Sequence, residues 1–345
     1  MTERSTSRQI TSRGVRVGVA IVNWNSQDML DRALEALARQ TRTPHRVVVV
    51  DNASKHFRAA PVAPANTVYE RLSFNSGFAQ GNNIAVKLLG ECDWIALVNP
   101  DAFLAPDWIE RMLEAAATEV DYAFFAGKTL IEADPSLLDG AGDIYHISGI
   151  TWRRGYRQPD VNAAERIEVF GPCAATAMYA KDAFEAVGGF DEDFFCYVED
   201  VDLAFRLRLA GYRCLFVPDA VALHVGSGTT GGQHSPFSVY HGHRNLVWAY
   251  VKNMPGGWFW LFLPLHLAMN VAACALFVLR GQARTIARAK RDALRGLPLM
   301  WRKRVSVQRG RVVRATDLLR VMNMALLPFA RMTPAAPASK NKHDE

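Results

Sequence analysis

The stretch DWIALVNPDAFLAPDW, residues 93–108, begins as a buried strand over residues 95–98 and breaks at Asn99-Pro100-Asp101. Two readings fit a proline set between an amide and a carboxylate. One is a plain turn, with Asp101 as an acid near the start of the next helix. The other is a strand end that holds a carboxylate out to a metal and a phosphate. The flanking sequence has to decide between them.

Working outward, strand-like and helix-like segments alternate. VRVGVAIVNW is a β-branched run. DMLDRALEALARQ then places Leu30, Ala33, Leu34, Leu37 and Ala38 on one helical stripe, with Ser26 in position to cap it. HRVVVVDNAS is a second buried strand, ending in Asp51-Asn52. NNIAVKLLG reads as the start of a helix, and PDWIERMLEAA as a helix with proline in its first turn. This rhythm implies an α/β fold with a mostly parallel sheet and helices on both faces. In such sheets ligands sit beyond the carboxyl ends of the strands. Asn23, Asp51 and Asp101 all fall there, so one polar, carboxylate-lined rim is expected. A dinucleotide-binding domain competes for the same pattern, but no GxGxxG follows the first strand.

Residues 131–170 are glycine-rich and read as irregular, in the manner of a lid or an acceptor-binding loop. Order returns near Phe170. The run YVEDVDLAFR opens a helix with Glu199, Asp200 and Asp202 in its first turn, and Gly211 closes it before a strand through residues 215–217. The three acids are either favourable charges on the helix dipole or a source of a general base, since a carboxylate crowded by others is raised toward a working pKa. His224, just past a strand, is either a satisfied core histidine or a second metal ligand to Asp101.

Taken in order, VAIVNWNSQDMLDRALEALARQT, VVVVDNAS, NSGFAQGNN, WIALVNPDA, the long run GPCAATAMYAKDAFEAVGGFDEDFFCYVEDVDLAFRLRLAGYRCLFVPDAVALHVGSGT and HGHRN resemble the family 2 glycosyltransferases of the GT-A fold, above all their bacterial rhamnosyltransferase-like branch. The resemblance spans about residues 15–250. It implies an inverting transfer of a sugar, L-rhamnose as the branch's donor sugar, from a nucleotide-diphospho-sugar to a hydroxyl of a glycan or a polyprenyl-diphosphate-linked acceptor. It further implies that Asn23 and Asp51 contact the nucleoside and that Asn82 lies along the donor. Asp101, with Asn99 where a longer motif has its first acid, would hold Mg²⁺ or Mn²⁺. His224 would assist at the metal, Arg244 would meet the diphosphate, and Asp200, beside Glu199, would be the general base.

The remaining chain is read from composition. With 40 basic and 34 acidic residues the net charge is +6, and it is uneven: residues 280–314 carry twelve Lys and Arg against the single acid Asp292. Nucleic acid is one partner for such a run. The apolar stretch before it, residues 258–279, favours an anionic membrane surface, because it is long enough to cross a bilayer of about 30 Å. A single crossing would part the basic block from a catalytic domain that must meet cytosolic nucleotide sugars. A hairpin or interfacial pair of helices on the cytoplasmic face of the inner membrane avoids this, and a core helix packed on the catalytic domain is the alternative. Five scattered cysteines without CxxC spacing fit a reducing compartment. The organisation expected is a disordered basic leader (1–14), a catalytic domain (15–250), an apolar and basic helical region (251–333) and a disordered tail (334–345). A non-catalytic nucleotide-sugar-binding subunit remains the functional alternative.

Overall fold

The computed structural model describes residues 14–226, 231–232 and 234–325, without the Asn162 side chain. The expected leader, save Gly14, and the expected tail lie outside them. Four parallel strands form the first half of the sheet: β1 (Val17–Asn23), β2 (Arg46–Asp51), β3 (Thr67–Arg71) and β4 (Trp94–Val98), in the order β4-β1-β2-β3. Every residue of β1 and β4 is buried, as is the valine run of β2, so both faces are covered. Helices α1 (Gln27–Ala38) and α2 (Gly77–Leu89) connect these strands. Beyond β4 come the short β5 (Ala102–Leu104), α3 (Trp108–Thr118) and β6 (Phe124–Ile131).

Three local expectations are corrected. Ser26 precedes α1, but its hydroxyl donates to the Trp24 carbonyl (3.2 Å) and makes no cap bond. Ala38 is exposed, and the buried residue beyond Leu37 is the polar Gln40. Its amide donates to the Ala105 carbonyl (2.7 Å) and accepts from Ile109 N–H (3.1 Å), so its burial carries no unmet hydrogen bond. Helix α2 also starts earlier than expected, at Gly77.

The largest departure lies in residues 131–170. Strands β7 (Asp134–Gly140), β8 (Asp143–Tyr145), β9 (Thr151–Arg153) and β10 (Ile167–Glu168) occupy the stretch whose composition reads as a loop. β7 pairs antiparallel with β6, and β8 with β9. The chain continues through β11 (Thr176–Ala180), α4 (Lys181–Ala186), α5 (Glu199–Leu209) and β12 (Cys214–His224). β11 runs antiparallel between β4 and β6, and β12 lies parallel to β6, which completes a ten-stranded mixed sheet among the described residues.

Four C-terminal helices follow among the described residues: α6 (Pro236–Asn253), α7 (Gly256–Leu279), α8 (Ala283–Arg309) and α9 (Ala315–Leu319). The hydrophobic core runs from the sheet into them without a break, through Trp248, Tyr250, Phe259, Ala293 and Met300. α8 lies along α6, where Trp248 Nε1 donates to the Ala293 carbonyl (3.0 Å). α7 is different. By length and composition it could cross a membrane, and only 17% of its most apolar window is buried. Trp260, Leu261, Leu267, Val271 and Leu279 are left exposed along it.

Candidate active site

At the carboxyl ends of β1 and β4 opens a cavity of 410 Å³, walled on the other side by β9 and the start of α5. The Asn99-Pro100-Asp101 turn forms one part of its lining. Asn99 O accepts from Ala102 N–H (3.1 Å), and Asp101 is 4% exposed. Antiparallel pairing of Ala102 with His224 carries the end of β12 to the same place. His224 Nε2 comes within 3.3 Å of Asp101 Oδ1 yet has no hydrogen-bond partner, while Nδ1 meets Asp139 Oδ2 at 2.8 Å. Asp139, on β7, in turn accepts from Arg153 Nη1 at 2.5 and 2.6 Å.

Burial alone would press the His224 pKa down. The flanking Asp101 and Asp139 carboxylates overcome it and raise it to about 9. Burial likewise works to raise Asp101, and His224 holds it below its usual value. The position therefore favours a positive charge. An imidazole whose far nitrogen is fixed by a carboxylate, beside a second carboxylate, is a donor pair that suits a divalent cation. The unpartnered Nε2 facing Asp101 fits that use. Among the described residues no cluster of three or more His, Cys, Asp or Glu could hold a metal, so further ligands would come from phosphate, water or an amide oxygen such as Asn99 Oδ1, which lines the cavity.

The second set of acids comes from α5. Phe195, Tyr197 and Val198 have φ of 65°, 68° and 69°, a left-handed backbone that is costly for a β-branched valine. The turn is clamped from α6: Asn245 Nδ2 lies 2.8, 3.0 and 2.7 Å from the carbonyl oxygens of Phe194, Cys196 and Tyr197. Gly77 closes the other side, where a Cβ would lie 2.6 Å from the Phe195 carbonyl oxygen. This turn points Glu199 and Asp200 into the cavity lining. Asp200 accepts from the N–H groups of Ala174 (3.2 Å) and Val201 (2.8 Å). Burial pushes its pKa up against those bonds. Glu199 is pushed well up, by burial and then by Asp200, and its Oε2 is buried without a partner.

The structure thus gathers Asn99, Asp101, Glu199, Asp200 and His224 around one cavity. Asn23 and Asp51 lie behind its wall as adjacent strand ends. Asn23 Nδ2 donates to Asp51 Oδ1 (3.0 Å), and Asp51 Oδ2 accepts from Ser54 N–H (3.1 Å), which orders the loop after β2. It is their neighbours Trp24 and Asn52 that line the cavity. Asn82 sits within α2, its amide on the Phe78 carbonyl (2.9 Å). Arg244 is spent on the clamp: it donates to the carbonyls of Asp193 (3.2 Å) and Phe194 (2.9 Å) and stacks over Trp248. Neither lines the cavity. Asp139, Asp143, Trp152 and Arg153 are the residues that sequence reasoning missed. All lie in the stretch read as a loop; Asp143 beside Ile144 and Trp152 beside Thr151 carried a weak local signal, and Asp139 and Arg153 carried none.

A parallel-strand rim that brings Asp101 and His224 to one cavity with a second acid pair belongs to the sugar-nucleotide transferases of the GT-A fold. Solved structures agree on the fold: GalNAc-T7 with UDP, GalNAc and Mn²⁺ aligns at TM-score 0.56 and 14% identity over 69% of this chain and 48% of that one. TarS 1–349 of S. aureus in complex with UDP aligns at TM-score 0.51 and 16% identity over 86% of this chain and 89% of that one. The family model described as Glycosyl transferase family 2 matches residues 18–188. N-acetylglucosaminyl-diphospho-decaprenol L-rhamnosyltransferase of Mycobacterium tuberculosis is 28% identical over 303 residues, 81% of this chain and 97% of that protein. Rhamnosyltransferase WbbL of Escherichia coli is 26% identical over 224 residues, 60% of this chain and 83% of that protein. The chain is a glycosyltransferase, similar over residues 18–188 to glycosyl transferase family 2 and over most of its length to a rhamnosyltransferase.

Proposed function

We propose that this enzyme transfers L-rhamnose, with inversion, from thymidine-diphospho-rhamnose to a hydroxyl of a polyprenyl-diphosphate-linked N-acetylglucosamine in cell-surface polysaccharide synthesis. The observation that carries the chemistry is the presence of two separately positioned acid sets, Asp101 with His224 and Glu199 with Asp200, in one 410 Å³ cavity. The sugar and the acceptor follow the Mycobacterium relative, which is named for transfer of L-rhamnose to such a lipid-linked sugar, and the thymidine nucleotide follows the family resemblance.

Asp200 receives the proton of the acceptor hydroxyl as its oxygen attacks the anomeric carbon. The bond from that carbon to the diphosphate breaks, and the nucleoside diphosphate leaves with the electron pair. Asp200's pKa, raised by burial, brings it nearer the pH at which a base is most effective. Mg²⁺ or Mn²⁺ held by Asp101 and His224 would supply the positive charge that the departing diphosphate needs. Asp139 keeps the His224 ring turned so that Nε2 faces that position. Asn23 and Asp51 shape the nucleoside loop from behind.

The exposed apolar flank of α7 and the arginines of α8 support docking on an anionic membrane at its cytoplasmic face. Arg284, Arg288, Arg291, Arg295 and Arg302 are exposed at helical spacing on α8. Calorimetry with thymidine-, uridine- and guanosine-linked sugars, with Mn²⁺ and with chelator, tests the donor and the metal together. Thymidine-diphospho-rhamnose is expected to bind alone of the panel, and to weaken with chelator and in Asp101→Ala. Equal binding with and without metal removes the cation from this reading.

A further inference from the structure

A second cavity, of 340 Å³, lies between α6, α7 and the β8–β9 turn. Its lining is mainly apolar: Ile150, Leu246, Met269, Ala273, Leu276 and Phe277. Apart from the His243 ring, which packs on Phe277, the polar groups around it are already paired with one another. His266 Nδ1 donates to the Ser148 carbonyl (2.7 Å), Asn270 Nδ2 lies 3.1 Å from His266 Nε2, and Lys290 Nζ donates to Asn270 Oδ1 and to the His243 carbonyl (3.0 Å). A sugar or phosphate placed here would find its partners taken, whereas a hydrocarbon chain would not miss them. The turn is held flush by Gly149, at φ 83°, where a Cβ would stand 2.9 Å from both His266 Nδ1 and Tyr250 Cδ2.

Position gives the cavity its meaning. The segment 148–153 lines both cavities, with Ser148, Gly149 and Ile150 in the apolar one and Thr151, Trp152 and Arg153 in the catalytic one. α6 does the same, with Phe237 and Ser238 in the catalytic cavity and His243 and Leu246 in the apolar one. Five residues of helix, about 8 Å, separate Ser238 from His243. His241, whose Nδ1 is buried without a partner, falls within that interval. An occupant of both cavities therefore has a polar head, a short spacer and an apolar tail. At the far side Leu276 is 45% exposed, so the cavity opens onto the uncovered flank of α7. A chain entering here can continue into a bilayer.

We propose that this cavity seats the first isoprenoid units of the acceptor, next to its diphosphate, and so selects a lipid-linked acceptor over a free sugar. This rests on the transferase reading above and names the site that reads the acceptor's tail. The test uses the full chain and two acceptors with one head, N-acetylglucosaminyl diphosphate esterified with farnesol or with methanol. Ala273→Phe, and the milder Ala273→Leu should the first fail to fold, fill the cavity from its wall. Each methylene excluded is worth about fourfold in binding, so the preference in kcat/KM for the farnesyl over the methyl acceptor should fall at least tenfold.

A readout free of catalysis accompanies it: a benzophenone-bearing farnesyl diphosphate, cross-linked and mapped by peptide mass. Labelling of α6 and α7 at residues lining the cavity, lost in the Ala273 variant, is expected. An unchanged preference overturns the proposal, and so does labelling confined to the exposed Trp260, Leu267 and Val271 that persists in the variant, which is adsorption of the kind a bilayer gives. Wild-type enzyme that turns over neither acceptor refutes the proposed donor and acceptor instead, and the cross-links then judge the cavity by themselves.

Discussion

Asp200 and Asp202 stand two residues apart on α5, and their surroundings pull them in opposite directions. Asp200 faces the catalytic cavity and is met by two backbone N–H groups. Asp202 is wholly buried, and Arg206 Nε (2.8 Å), Lys252 Nζ (2.9 Å) and Asn253 Nδ2 (2.8 Å) converge on it. Burial acts on both to raise the pKa. In Asp200 it wins; in Asp202 the Arg206 and Lys252 cations reverse it and hold the carboxylate at about 2. Lys252 also reaches Asp191 (2.6 Å), so the network ties α5, α6 and the segment before the strained turn. The same residue type in the same helical turn thus serves reactivity in one case and anchorage in the other, and the partners decide which.

The sharpest way to break the comparison is Asp200→Asn. We expect kcat to fall on the order of 10²–10⁴-fold with only a small drop in melting temperature, because Ala174 and Val201 donate to separate carboxylate oxygens and asparagine keeps an acceptor for one of them. A variant that turns over normally would end Asp200's role as base. Asp202→Asn should show the opposite pattern. It leaves Arg206 buried without its counter-charge and Lys252 with Asp191 alone, at a cost of about 3–5 kcal/mol in denaturant unfolding. The fraction that stays folded should bind donor as before.

Acid sharpens the comparison further. Asp202's folded pKa lies below its ordinary value, so its contribution to stability is complete above about pH 4 and is lost as the pH falls toward 2, roughly 2 kcal/mol in all. Unfolding titrations of the wild type should show this loss, and Asp202→Asn should lack it. Asp200's pKa moves the other way. Activity needs the deprotonated base, so the acid limb of kcat/KM should sit above the ordinary carboxylate range, as the apparent value of the Glu199–Asp200 pair. A limb at or below that range would contradict the buried setting of Asp200.

How much of this was legible beforehand follows from the range of the interactions. The strand ends at Asn23, Asp51 and Asp101 and the stripe of α1 could be read because periodicity and strand termini are local properties. Glu199 and Asp200 could be read as acids at a helix start. Their separation from Asp202 could not, since Lys252 and Asn253 arrive from fifty residues away on α6. Asp139 and Arg153 were hidden for a similar reason. Composition gives residues 131–170 no strand signal, and their order comes from pairings such as Thr129 with Gly140 and Asp143 with Arg153. In HGHRN the basic residue drew attention for its charge, yet the neighbouring Asn245 holds three carbonyls of the strained turn. An amide that accepts a backbone's geometry leaves no mark in a charge pattern.

The smallest expected effect is at Glu199, where the two halves of the comparison meet. It is nearly as buried as Asp202 but has no cation beside it, and among the described residues its Oε2 has no partner. Burial and the neighbouring Asp200 push its pKa well up, so of the two acids it is the one whose surroundings most favour keeping a proton. Glutamine copies the shape of a protonated glutamate and cannot ionise. Glu199→Gln should therefore cost less than about 1 kcal/mol of stability and shift kcat by only a few-fold. If kcat instead fell as far as in Asp200→Asn, Glu199 would be ionised in the working enzyme, and the proton from the acceptor would be shared between the two carboxylates.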